Sequence, residues 1–442
     1  RGVMLYLLGV LVVFLGICAS IALHEVGHLL PAKASRVRVT QYMVGFGPTL
    51  WSTRRGETEY GVKAIPLGGY IRMIGMLPPR REDPAGTVRR SSTGLLDQVS
   101  EDARAAALEE VRPEDADRVF YKLPVWRKVM IMLGGPLVNL LIAVVLLTGL
   151  LTLHGTAQPT TTVKAVVECV TDDPQATQCG PGDDPSPAAA AGLRPGDHIV
   201  EVAGAPVDSW QQVTDAIRSG GDHPLPLVVE RDGERVELTA HPVLRERPKV
   251  VDGEVVERDG QPVTEEVGYL GASPAHEMVR QPLSAVPPAV SDGLWRTASV
   301  VFTIPARLWD VGQTVLGLEE RDPNGPMSVV GVGRVAGEVT SSQELGLDWG
   351  ERVAFWGSLL AGLNLALFVF NLVPLLPLDG GHVAGALWEG TRRAWARLRG
   401  LPDPGYVDVA RMMPLATGMA VVLLGMSLLL IYADIVAPVS LG

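Results

Sequence analysis

The sequence predicts a polytopic α-helical membrane protein with four transmembrane helices, a β-hairpin segment after the first and an α/β domain after the second. Three observations predict it. The mean hydropathy of the 442 residues is positive, +0.22, which soluble chains of this size rarely show. The apolar excess sits in four runs without Asp, Glu, Lys or Arg, at 4–23, 129–153, 354–378 and 412–433. Each has the roughly 20 residues a helix needs to cross a hydrocarbon core of about 30 Å. Charge is also distributed unevenly between the runs. Segment 32–128 holds 17 Lys/Arg against 12 Asp/Glu, whereas 154–353 holds 15 against 31. A soluble cytosolic protein is excluded, and nothing in the basic segments is large or aromatic enough to suggest a nucleic-acid surface.

Orientation follows from the basic residues near the membrane. Residues 32–51, 109–128 and 383–411 carry 13 Lys/Arg, against 4 on the opposite side. The first and third loops are therefore expected in the cytoplasm, with both termini and the long acidic segment outside.

Taken in order, the first span (4–31) has neither a basic leader nor a small-residue cleavage site, so it is expected to be retained rather than removed as a signal peptide. Residues 36–76 contain three short β-rich stretches, with a hairpin turn at Arg55-Gly56. The charged remainder of 32–126 is expected to be a linker with one helix around 101–111. After the second span (127–154), residues 160–246 read as a small α/β domain, with a helix at 210–218 and strands at 225–230 and 235–240. An acidic hairpin over 248–266 and amphipathic helices over 287–338 fill the rest of 247–353. A third span (354–382), a cytoplasmic loop (383–411) and a fourth span (412–433) complete the chain. Cys18 is expected to fill apolar space. Cys169 and Cys179 fall in the outside segment, where they are either two thiols or a disulfide closing a loop worth roughly 3 kcal/mol.

The chemistry is concentrated at the inner end of the first span, in His24-Glu25-Val26-Gly27-His28. Positions i and i+4 share a helix face, so both imidazoles can bind one Zn²⁺. Glu25 stands beside the open coordination position, where a carboxylate can take a proton from water. The bland alternative is a polar helix end near the headgroups, yet ionisable groups at membrane depth are costly without a function. Such a site wants a third protein ligand. Asp379 is the candidate, because the first and third spans run in the same direction and end at the same depth. His382 is the weaker alternative, and Asp434 falls at the opposite face. Pro374, Pro377 and Gly380-Gly381 break the third span's end, and broken backbone at that depth must line an enclosed cavity. Asn371 could bind a substrate carbonyl or oxyanion, or make an interhelical hydrogen bond.

With these residues together, the sequence resembles the site-2 protease family of intramembrane zinc metalloproteases, in its bacterial PDZ-containing group. The resemblance rests on His24-Glu25-x-x-His28 with Asn371-x-x-Pro374 and Asp379-Gly380. It extends to Gly45-Phe46-Gly47-Pro48, Ile65-Pro66-Leu67-Gly68-Gly69-Tyr70, Gly134-Gly135-Pro136-x-x-Asn139 and Gly325-Pro326-x-Ser328. One departure is Pro377, two residues before Asp379 where many members have it three before. The string Gly192-Leu193-Arg194-Pro195-Gly196-Asp197 resembles a PDZ domain.

The resemblance implies a membrane-associated β region that approaches the active site, and a bacterial inner-membrane location. It implies cleavage of single-pass membrane proteins within the bilayer, such as anti-sigma factors or remnant signal peptides, after an upstream site-1 type protease has trimmed them. The rival expectations are a membrane-anchored zinc protease with a soluble cleft and a non-catalytic PDZ scaffold.

Overall fold

Among the described residues, four helices are long and apolar enough to cross a membrane: Gly2–Ala34, Val125–His154, Trp349–Asn371 and Val409–Val436. Each contains or overlaps one of the four apolar runs. The computed structural model describes residues 2–79, 111–170, 179, 183–251, 254–258, 261–318, 321–322, 325–343 and 345–438. The helix expected around 101–111 lies outside these residues apart from Val111. The chain divides into two units, Arg1–His154 with Pro282–Gly442, and Gly155–Gln281.

In the first unit, helices α1 (Gly2–Ala34) and α2 (Val125–Gly149) meet where neither has a side chain. A Cβ added at Gly27 would run into the Gly134 carbonyl, and one added at Gly134 into the Gly27 carbonyl. In lipid, where apolar side chains gain little by leaving their surroundings, such small residues let helices pack closely. Further along the chain come α3 (Val286–Val315), α4 (Val329–Ser341) and α5 (Trp349–Asn371). Helix α4 crosses α1 where Gly9 faces Thr340 and Gly337 faces Tyr6. Helix α5 starts from a capping box in which Asp348 and Glu351 each accept the other's backbone N–H at 2.8 Å. It is tied to α1 by a buried hydrogen bond from Asn364 Nδ2 to Ser20 Oγ, 2.9 Å. The interhelical bond considered for Asn371 is thus one that Asn364 makes, two turns earlier.

Two long strands, β1 (Val39–Arg55) and β2 (Thr58–Met73), follow α1. Both bend midway, at Gly45–Pro48 and at Ile65–Gly68, so the pair forms four short segments rather than one hairpin. Gln41 pairs with both Arg72 and Glu59, and Val44 with both Gly69 and Val62; residues 51–54 pair with the far side of 59–62. The order across the sheet is 69–73, 39–44, 58–63, 49–55, with 69–73 on one edge. Gly56, at φ +62°, supplies the tight turn that Arg55-Gly56 predicts.

The third span is shorter than expected. Its helix stops at Asn371, not at 382, and a separate helix α6 (Asp379–Leu398) begins at Asp379. Pro374 and Pro377 have no backbone N–H with which to continue the ladder. Gly380 and Gly381 let the first turn of α6 fold onto 372–376, since a Cβ on either would strike that backbone. The loop expected over 383–411 is accordingly helical in its first half. Helix α7 (Met413–Val436) ends the described fold, and Asp434 on it accepts from Arg321 Nη2 at 3.0 Å and from the Ser328 N–H at 2.6 Å.

In the second unit, the main sheet runs Ala272–Val279, Thr156–Val166, His198–Val202, Leu225–Arg231, Glu234–Ala240, with Ala205–Pro206 paired to the third of these. Helix Trp210–Gly220 starts from a Ser209/Gln212 capping box and buries Val213 and Ile217. Ile199, Val202, Leu227 and Val229 meet them in the core. Asp197, 1% exposed, accepts from Arg231 Nε at 2.7 Å, Arg231 Nη2 at 2.8 Å and the Arg194 N–H at 2.8 Å. Strands Val243–Pro248 and Thr264–Tyr269 pair antiparallel, with short paired segments between them where the acidic hairpin was expected. Cys169 and Cys179 form a disulfide with Cα atoms 5.9 Å apart.

Candidate metal centre

His24 and His28 lie one turn apart on α1, and Asp379 opens α6. Their donor atoms all fall within 4.8 Å of one another. The two Nε2 atoms are 3.1 Å apart, and Asp379 Oδ2 is 3.4 Å from His24 Nε2 and 3.3 Å from His28 Nε2. That oxygen is buried and has no hydrogen-bond partner. An orphaned carboxylate oxygen between two imidazole nitrogens is costly for a protein alone and is what a tetrahedral zinc site requires. His382 is not among the converging donors; it lines a small cavity with Lys128, Glu389 and Tyr406. Asn371 ends α5, partly exposed.

Each imidazole is held from behind. His28 Nδ1 donates to the Ile131 carbonyl at 2.8 Å, which leaves Nε2 its lone pair. The fully buried Asn139 carboxamide lies 3.0 Å from His24 Nδ1. With its nitrogen on that side, its oxygen has no partner. With its oxygen there, it accepts the Nδ1–H and frees Nε2 in the same way, which is the orientation that a metal-binding His24 requires. Sequence reasoning assigned Asn139 no role. The signal was its place on one helix with Gly135, where any Cβ would collide with both Nε2 atoms.

Glu25 is buried, 7% exposed, against the edge of the β-sheet. A Cβ on Gly69 would come within 2.8 Å of Glu25 Cγ, so the glycine lets the edge segment lie against the carboxylate. Tyr42, in the next segment, donates its hydroxyl to the Ala22 carbonyl at 2.7 Å and anchors the sheet to α1. Burial and the nearby Glu25 carboxylate push the Tyr42 phenol up to about 12, which keeps it a donor.

A model of peptidase family M50 matches residues 12–401. The chain belongs to peptidase family M50, the site-2 proteases. It is 35% identical over 445 residues to the zinc metalloprotease Rip1 of Mycobacterium bovis, covering 99% of this chain and 100% of that protein. The metalloprotease MmpA of Caulobacter vibrioides is 30% identical over 386 residues, 84% of each chain. As an M50 peptidase the protein is a zinc metalloprotease that acts on membrane proteins in the bilayer.

Proposed function

We propose that His24, His28 and Asp379 hold the zinc, that Glu25 is the general base, and that the protein cleaves single-pass membrane proteins inside the bilayer. The observation that carries the reading is the partnerless Asp379 oxygen facing two imidazole nitrogens whose opposite ring atoms are already committed. Zinc, when bound, supplies Lewis acidity, polarising a peptide carbonyl and lowering the pKa of water. Glu25 takes the proton of the attacking water and then delivers it to the leaving amine. Asn371, at the end of α5, steadies the carbonyl oxygen as charge develops on it.

Helical substrate must unwind first, because its peptide bonds are turned inward. Residues 69–73 offer a sheet edge beside Glu25 to which an extended segment can pair. Exposed Phe46, Leu50, Trp51 and Ile65 at the bends of the sheet support its lying in apolar surroundings. The unit Gly155–Gln281 is read as a PDZ domain outside the membrane, with both termini on its side. It rejects untrimmed substrates, so that an upstream protease acts first. Anti-sigma factors and remnant signal peptides, in a bacterial inner membrane, are the substrates that fit.

Zinc stoichiometry and cleavage, measured together, test the site. His24→Ala should lose both. Glu25→Gln should keep zinc near stoichiometric while turnover falls about 10²–10⁴-fold. Normal turnover in Glu25→Gln would remove Glu25 from the mechanism. Deleting residues 160–245 should leave trimmed substrates cleavable and admit untrimmed ones; loss of both activities would point instead to a domain that recruits substrate.

A further inference from the structure

Helix α6 (Asp379–Leu398) reverses the usual disposition of a surface helix. Its covered side holds a buried ion pair among small residues. Glu389, 3% exposed, accepts from Lys128 Nζ at 2.9 and 3.0 Å, and Arg393 lies 3.2 Å away. Its open side is apolar: Leu387, Trp388, Trp395 and Leu398 are 52%, 61%, 56% and 85% exposed. Their separations of one, seven and three residues place them within about 100° of the helix circumference, on one stripe. Arg392, Arg397 and Arg399 border it, and the Arg399 guanidinium lies 4.3 Å from the Trp395 ring centre. Past the helix the chain turns at Gly400, and Arg392 Nη2 donates to the Pro404 carbonyl at 3.3 Å. This return borders an open apolar groove of about 460 Å³ lined by Trp388, Trp395, Leu401 and Pro404.

The helix is not one of the four candidate spans, although it packs directly on one of them, α2. Pronounced amphipathicity, tryptophans on the open face and arginines at its borders mark a helix lying in the plane of a bilayer interface. We propose that α6 lies in that interface and binds an anionic phospholipid, with an acyl chain in the Trp388–Trp395 groove and the phosphate against Arg392 and Arg399, which share one border of the stripe, while Arg397 adds positive charge on the other. Arginine suits phosphate because its planar fork binds two oxygens at once. Asp379 is the first residue of the same helix, so bound lipid also fixes the element that carries the third ligand. That last consequence rests on the zinc-site reading above; the lipid site does not.

The test uses the full-length, zinc-loaded protein in nanodiscs of phosphatidylcholine with or without phosphatidylglycerol. A nitroxide on Thr391→Cys, in a Cys18→Ala background, should collide more with oxygen than with a water-soluble nickel reagent. Predominant nickel access, or cross-linking of position 391 to a second copy, would overturn the interfacial placement. Native mass spectrometry should find phosphatidylglycerol retained at least fivefold more by the wild type than by the triple variant R392Q/R397Q/R399Q. Equal retention would overturn the lipid site. The ratio of cleavage with phosphatidylglycerol to cleavage without it should be severalfold in the wild type and near one in the triple variant. An unchanged ratio alongside lost retention would overturn the link to Asp379. Failure of Asp379→Ala to lose zinc would sink the ligand reading while leaving lipid retention as measured.

Discussion

Asp197 and Asp379 each bury a carboxylate oxygen, and the two are treated in opposite ways. Asp197 in the second unit receives two bonds from Arg231 and one from the Arg194 backbone. Asp379 in the first unit turns an oxygen without a donor toward two imidazoles. A carboxylate whose partners are all supplied by the fold serves the fold: Asp197 fastens the turn after Gly192 to the end of strand Leu225–Arg231. A carboxylate left incomplete among other lone pairs is completed by something from outside. Burial alone does not separate the two cases; the donor inventory does.

The largest effect should come from giving both sites the same substitution. Asp379→Asn should abolish zinc binding and cleavage while the thermal unfolding of the apo-protein stays close to that of wild type. Asp197→Asn should do the reverse, retaining zinc and lowering the stability of residues 155–281, because it leaves the part-buried Arg231 without its charge partner. Metal analysis and hydrogen exchange on the full chain measure the two quantities. A destabilised Asp379→Asn with zinc intact would break the contrast.

A smaller effect is expected at Asn139. Asn139→Leu removes the group behind His24 without touching a donor atom, and losses of second-sphere partners typically cost 10–100-fold in metal affinity. Competition with a chelator measures it. Unchanged affinity would mean that His24 is oriented by its helix alone.

The smallest effect concerns pH. Burial would lift the Asp197 carboxyl, but the Arg231 hydrogen bonds and the Arg194 N–H outweigh it and hold the group below its ordinary value of 3.8. Its contribution is therefore complete above that value and fades as pH falls through the lower folded one. Hydrogen exchange in residues 155–281, corrected for intrinsic rates, should accelerate more steeply below pH 4 in the wild type than in Asp197→Asn. Parallel pH profiles would show that the Arg231 pair contributes nothing linked to that proton.

Much of this was legible in the sequence for definite reasons. Apolar runs of 20 or more residues announce spans because the bilayer sets a length. His24 and His28 announce a shared face because the helix sets a period. Asp379 could be reached by asking which carboxylate lies level with them. The position of the helix break was harder to read. Two prolines mark that a helix ends, but not that it ends at Asn371, since the run stays apolar to Leu378. Helix α6 was missed as a helix because its Gly, Arg and Trp mixture reads as a polar loop unless its apolar face is counted by angle. Asn139 was quoted in a motif without a role, because its contact with His24 spans 115 positions and depends on how closely Gly27 and Gly134 let two helices approach.

The break between Asn371 and Asp379 also bears on how the protein is made. Two of the three proposed ligands lie within the first 28 residues and the third about 350 residues later. At roughly 5–20 residues per second, the ribosome needs on the order of tens of seconds to bridge that interval. During it, on the proposed ligand set, the histidine pair offers only two of the three donors. Asp379 arrives on a helix of its own, after the unit that precedes the third span has been completed. If these three residues are the ligands, the order of synthesis works as a safety catch: a nascent chain that has not yet reached Asp379 lacks the third donor and cannot cut its neighbours.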